Sequence, residues 1–247
     1  MESMFLTICS PIDSLATASA KLSRWEGYKN HKSISLLLEA IHQFAVRYAT
    51  SRHPCAPAHR YLPAMVEHFE GAAEFTEEQV MLEGDIEMLQ GSVRVMCRAW
   101  SYCSHAQLVA EAKIVVHPVP LPVKFTPPVV VDSAIPLWAI LSQNNECCEF
   151  LLNGSNPLFN EHFPGSPVCP GSLIIDLLLS TLLQPTEQKI LKLKKVKFLR
   201  ALLPEKVYRL TLGSADGSQM TNFLITDERN ERHVSGSYFL SKRGRYE

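Results

Sequence analysis

Two segments of the chain carry apolar residues at helical spacing, and each is followed by stretches that alternate between apolar and polar positions. From Ser33 to Tyr48, SISLLLEAIHQFAVRY sets Leu37, Ile41 and Phe44 on one face and offers Ser33 as a cap, which predicts a first helix. Strand-like runs follow at Met65 to Ala73, Val80 to Gln90, Ser92 to Ser101 and Ala106 to Val116, punctuated by Gly71, Gly91 and an SHAQ turn. A proline-dense stretch from His117 to Pro136 then denies regular helix or central strand and reads as a linker. Beyond it, Leu137 to Ser142 and Glu146 to Leu152 predict a hairpin, and an irregular loop leads to Gly171. A second helix is expected from Ser172 to Gln184, stopped by Pro185. Strands return at Ile190 to Leu199, Val207 to Leu212, Met220 to Thr226 and His233 to Leu240. The order of elements repeats.

The second helix is apolar on nearly every side, with Leu173, Ile174, Ile175, Leu177, Leu178, Leu179, Leu182 and Leu183. Such a helix has to be covered almost all round, and a sheet wrapped about it does that. Asp176 is costly there, because a buried carboxylate needs hydrogen-bond partners or a proton.

With 247 residues, 46% of them hydrophobic and 20% charged, the chain falls in the soluble globular class and outside the disordered and fibrous ones. That length suits two domains of about 110 to 120 residues each. A net charge of 24 − 25 = −1 gives no basic field for nucleic acid. The longest apolar stretch, broken by Asp176, is too short to span a membrane. The start, MESMFLTICSPIDS, lacks a basic segment ahead of an apolar one, so a cytoplasmic location without export is expected. Seven cysteines without CxxC spacing read as reduced thiols, and His42, His53, His59 and His68 match no metal-ligand pattern.

The most informative segment is His162 to Asp176, HFPGSPVCPGSLIID, where a histidine and a carboxylate flank a Pro/Gly loop that ends at a helix start. Here the chain resembles the beta-hydroxyacyl carrier-protein dehydratases of fatty-acid and polyketide synthesis. Their motif, HFPxxPVxPGxLxxE or D, is matched by His162, Phe163, Pro164, Pro167, Val168, Pro170, Gly171, Leu173 and Asp176, at the same spacing of 176 − 162 = 14. Glu161 stands where that family has glycine, and Asp176 where it more often has glutamate. KKVKFLRALLPEKVYRLTL also looks like the family's strand pair after the helix.

The resemblance implies an α+β hotdog fold, an antiparallel sheet wrapped round one long helix. The first half is similar but eroded: YKNHKSISLLLEAIHQFA keeps His31 and Glu39, at offsets of 162 − 31 = 131 and 176 − 39 = 137, so six loop residues are missing between them. A tandem double hotdog follows, with a degenerate copy at residues 1–116, a linker at 117–135 and an intact copy at 136–247. In such families each site takes its histidine from one copy and its acid from the other. His162 is therefore expected to face Glu39, whose Gln43 lies one turn on, while His31 and Asp176 form a second pair without the shaped loop. Catalytic positions carried over are His162, Glu39 and Asp176. Substrate-binding positions are Gly171, Phe163, Val168 and Gln43.

These groups suit removal of water from a 3-hydroxyacyl thioester. A neutral imidazole takes the proton beside the carbonyl, a carboxyl of raised pKa protonates the departing hydroxyl, and the Gly171 N–H at a helix start steadies the enolate-like oxygen. No metal or redox cofactor is required, because the substrate rides on the phosphopantetheine of acyl carrier protein. The basic run from Lys189 to Arg200 suits that acidic partner or the phosphate of its arm, and equally suits a plain solvated strand face; a ketosynthase or second dehydratase subunit is a further partner class. Two other readings remain open on sequence: a hotdog acyl thioesterase, and a non-catalytic subunit of a dehydratase or synthase complex. The plainer reading of the motif itself is that its prolines shape a loop around a satisfied buried histidine. Cys169 is expected to pack beside the acyl channel rather than act as a nucleophile.

Overall fold

A computed structural model describes residues 12–24, 33–72, 78–102, 107–120, 135–162, 167–182, 189–213 and 220–242. Phe163, His31, the first three residues of the SHAQ turn and most of the linker lie outside these. Strand β1 (Thr17–Lys21) runs into a short 3-10 turn (Leu22–Arg24), and helix α1 (Ser33–Arg52) follows. Next come β2 (His59–Ala72), β3 (Gln79–Leu89), β4 (Ser92–Ser101) and β5 (Leu108–Pro120). The second half consists of β6 (Trp138–Gln143), β7 (Cys147–Leu152), a one-turn helix α2 (Leu158–Glu161), helix α3 (Gly171–Leu182) and strands β8 (Lys189–Phe198), β9 (Val207–Leu212), β10 (Thr221–Asp227) and β11 (Arg232–Lys242).

The strands form one antiparallel sheet in the order β1-β3-β4-β5-β2-β8-β11-β10-β9-β7-β6. Its middle seam joins β2 to β8, in register from Met65 opposite Lys197 to Ala72 opposite Ile190. Read outward from that seam, the two halves share one plan: the strand that follows the helix, then the last strand of the half, then the rest in reverse chain order. Helix α1 packs on β2 to β5, and the two helices pack against each other. On α1 the side chains of Ile34, Leu37, Leu38, Ile41 and Phe44 are buried, and on α3 those of Leu173, Ile175, Leu178 and Leu179 are. Each fully buried aliphatic or aromatic side chain contributes roughly 1.5–3 kcal/mol, so the helix pair is a large part of what holds the halves together. No helix among the described residues is long and apolar enough to cross a membrane.

Three differences from the pattern-based expectation have physical causes. β1, unforeseen, is built on small residues, Ala18 and Ala20 being its buried positions, and it owes its existence to pairing with β3 rather than to propensity. The one-turn helix α2 is too short to show a period. β5 continues into the stretch read as linker, to Pro120. This is tolerated because its pairing with β4 ends at Val116, while His117 to Pro120 pair with β2 alone. Pro118 and Pro120 thus sit where one side of the strand needs no donors. The β3–β4 connection turns on Gln90 and Gly91, the latter at φ 73°, a conformation open to glycine without strain.

Candidate active site

The loop between α2 and α3 is tied down at both ends of its described part. The His162 N–H donates to Leu158 O (2.8 Å) and the Val168 N–H to His162 O (3.2 Å). The Cys169 N–H donates to Leu202 O (2.9 Å). On the side chain, His162 Nδ1 lies 2.9 Å from Val168 O. A carbonyl only accepts, so that bond places the proton on Nδ1 and leaves Nε2 as the basic nitrogen. Burial pushes the His162 pKa down to about 4, with the nearby Arg60 charge acting in the same direction, while the Val168 bond opposes both. The ring is neutral near pH 7.

Glu39 comes from the other half, on α1, and is buried. Its carboxyl accepts from Ser172 Oγ at 2.6 Å and from Gln43 Nε2 at 2.9 Å. Burial raises its pKa to about 7, and these two hydrogen bonds pull against that rise. The site thus holds a base that is deprotonated and an acid that keeps its proton at one and the same pH.

Both groups line a single cavity of about 780 Å³, within the usual range for small-molecule sites. Its walls come from α1, β2 and β5 of the first half and from the His162 loop, α3 and the end of β8 of the second. Val46, Leu62, Val119, Ile174 and Leu202 make much of it apolar, and Arg47, Arg60 and Arg200 add positive charge. Of the residues anticipated from sequence, His162, Glu39, Gln43, Val168 and Gly171 are brought together here. Phe163 falls outside the described residues. Cys169 also lines the cavity, and burial raises its pKa so that it stays a thiol. Gly171 opens α3, and a Cβ there would lie 2.6 Å from the Phe198 ring, so glycine permits the close packing of that ring on the helix start.

Asp176 is not part of this cavity wall. It is buried on α3, and its sequence partner His31 lies outside the described residues. The reciprocal of the Ser172–Glu39 contact would be Ser35 with Asp176, yet Ser35 Oγ is buried with no hydrogen-bond partner. Aspartate is one methylene shorter than glutamate. Ser172, His42 and Arg60 are site residues that sequence reading missed. Ser172 was visible as a hydroxyl four residues before the acid, a spacing repeated by Ser35 and Glu39. Arg60 left no such signal. His68, considered above for metal binding, sits with Glu70 and Glu111 in a group whose ligand atoms lie within 4.8 Å of one another. Glu70 there is already bound to Lys192 at 2.9 Å.

Residues 140–237 match the model of the ApeI-like family, described as ApeI dehydratase. The matched span holds His162, Gly171 and Asp176 but not Glu39. No curated protein sequence matches the chain. Among solved structures, a 12:0-ACP thioesterase from Umbellularia californica is similar over 87% of this chain and 92% of its own, at 11% identity and TM-score 0.55. An acyl-ACP thioesterase from Bacteroides thetaiotaomicron is similar over 86% and 91%, at 9% identity and TM-score 0.57. The tesB protein of Mycobacterium avium subs. paratuberculosis covers 95% of each chain, at 12% identity and TM-score 0.56. At such identities the likeness is one of fold. The fold is hotdog-type, shared by dehydratases and thioesterases.

Proposed function

We propose that the chain is a double-hotdog dehydratase that converts 3-hydroxyacyl thioesters to trans-2-enoyl thioesters, with one working centre built from His162 and Glu39. The observation that carries this reading is the shared cavity in which a neutral imidazole and a protonated carboxyl converge from the two halves. His162 Nε2 removes the C2 proton, and the electron pair moves to form the C2–C3 double bond. The C3–O bond breaks as Glu39 delivers its proton, and water leaves. Charge that builds on the thioester oxygen meets the Gly171 and Ser172 N–H groups at the start of α3, the next two N–H groups being taken by Pro170 O. Ser172 and Gln43 hold the carboxyl in place. The next turnover requires the proton gained by His162 to pass to Glu39 or to solvent.

In this reading residues 1–116 are the degenerate copy and 136–247 the intact one, and the His31/Asp176 pair has lost its role. The substrate is carried by acyl carrier protein in the cytoplasm, in fatty-acid or polyketide-type synthesis, with a ketosynthase or second dehydratase subunit as a further partner. Arg47 and Arg60 in the cavity wall suit the phosphate of a pantetheine arm, while Arg200 is ion-paired with Glu231. Exposed Lys194, Lys195 and Lys197 on β8 suit an acidic carrier.

A thioesterase is the second reading, favoured by the names of the solved structures above and by a buried acid able to orient water. Purified protein offered both a 3-hydroxyacyl and a saturated acyl carrier-protein thioester separates the two. Dehydration is expected to give the conjugated enoyl absorbance from the first substrate and no free thiol from either. Free thiol from both, without enoyl product, assigns hydrolysis; neither product leaves the non-catalytic subunit.

A further inference from the structure

His42 plays no part in the steps above, yet it stands in the same cavity wall. It lies on α1 one turn beyond Glu39, is only 3% exposed, and its Nε2 is buried without a hydrogen-bond partner. It is near enough to His162 for the two rings to influence each other electrostatically. A leucine or phenylalanine at this position would fill the space without stranding a ring nitrogen, so packing alone gives no reason for an imidazole. Burial, aided by His162, lowers the His42 pKa to about 3, which keeps the ring neutral with one donor and one acceptor nitrogen. It is therefore suited to a hydroxyl, which both gives and receives.

We propose that His42 is a substrate-binding residue whose Nε2 hydrogen-bonds the C3 hydroxyl of the acyl chain and so selects hydroxylated over plain acyl chains. The assignment rests on the dehydratase reading and adds the means of discrimination to it. The C3 oxygen is the better match than the thioester oxygen for two reasons. His42 shares a helix with Glu39, which protonates C3–OH, whereas the thioester oxygen is served from the start of α3. Phe198, a partly buried cavity residue, packs its ring at 89° to the imidazole with centroids 6.0 Å apart. For this contact a bound acyl chain must shift the side chains around the imidazole so that it reaches the buried Nε2.

The test is equilibrium binding to the full chain of two unreactive probes, a 3-hydroxyacyl pantetheine amide and its saturated counterpart lacking the hydroxyl. His42→Leu is expected to weaken the hydroxylated probe about tenfold, the scale of one lost hydrogen bond in a dry site, and to leave the saturated probe unchanged. His42→Gln, whose amide nitrogen reaches the place of Nε2, is expected to restore most of the difference. Equal weakening of both probes, or of neither, overturns the assignment. Because binding is read without turnover, a wild-type protein that makes no enoyl product defeats the dehydratase reading while the probe ratio still decides the role of His42.

Discussion

His162→Ala is expected to lower kcat/KM for dehydration by about 10³-fold or more, the upper part of the range for removing a general base. The loss should fall on turnover rather than on folding. His162 is a partly buried imidazole that resists protonation, and its Nδ1 bonds the backbone of its own loop. Without the ring, the nitrogen that the Val168 bond sets free to take the C2 proton is gone. A melting transition close to that of the wild type, together with residual binding of the hydroxyacyl probe, would place the defect in chemistry. Undiminished turnover by His162→Ala would remove the base from the scheme.

Glu39→Gln is expected to cost about 10²- to 10³-fold in kcat/KM, since the amide keeps an acceptor for Ser172 but has no proton to give. It should also change the pH profile. In the wild type, activity rises as His162 loses its proton through about 4 and falls as Glu39 loses its own through about 7. The variant should lose the upper limb and keep the lower. Stability provides a second readout. The folded state holds the Glu39 proton more tightly than the unfolded chain, so its contribution is full below the ordinary glutamate value of 4.5 and is lost as pH rises through about 7. Relative to wild type, Glu39→Gln should thus gain on the order of 3 kcal/mol between acid and mildly alkaline pH, each pKa unit being worth about 1.4 kcal/mol. A wild-type profile with no limb near neutrality, or a stability difference independent of pH, would contradict the buried acid.

Much of this arrangement was legible from residues alone. Helix α1 announced itself through Leu37, Ile41 and Phe44, and α3 through its unbroken apolar surface, because one-sided or all-round burial leaves a periodic trace. The HFPGSPVCPG string marked the histidine, because its order and spacing resemble a known family's motif. The resemblance also implied that His162 faces Glu39, but the other contacts made where the two halves meet could not be read. The Ser172 hydroxyl reaching Glu39 spans 133 residues of chain, Arg60 enters the cavity from the first turn of a long strand, and the seam between β2 and β8 has no local pattern. Asp176 shows the same limit from the other side. It fits the motif letter by letter, yet it lies outside the wall of the cavity that Glu39 and His162 share.

The most direct measurement is a double-mutant cycle in kcat/KM for a 3-hydroxyacyl thioester, using His162→Ala, Glu39→Gln and the two combined. Groups that act on one bound substrate lose their value together, so the double variant should be little slower than the worse single variant. Losses that multiply would mean that the imidazole of one half and the carboxyl of the other do not serve the same reaction.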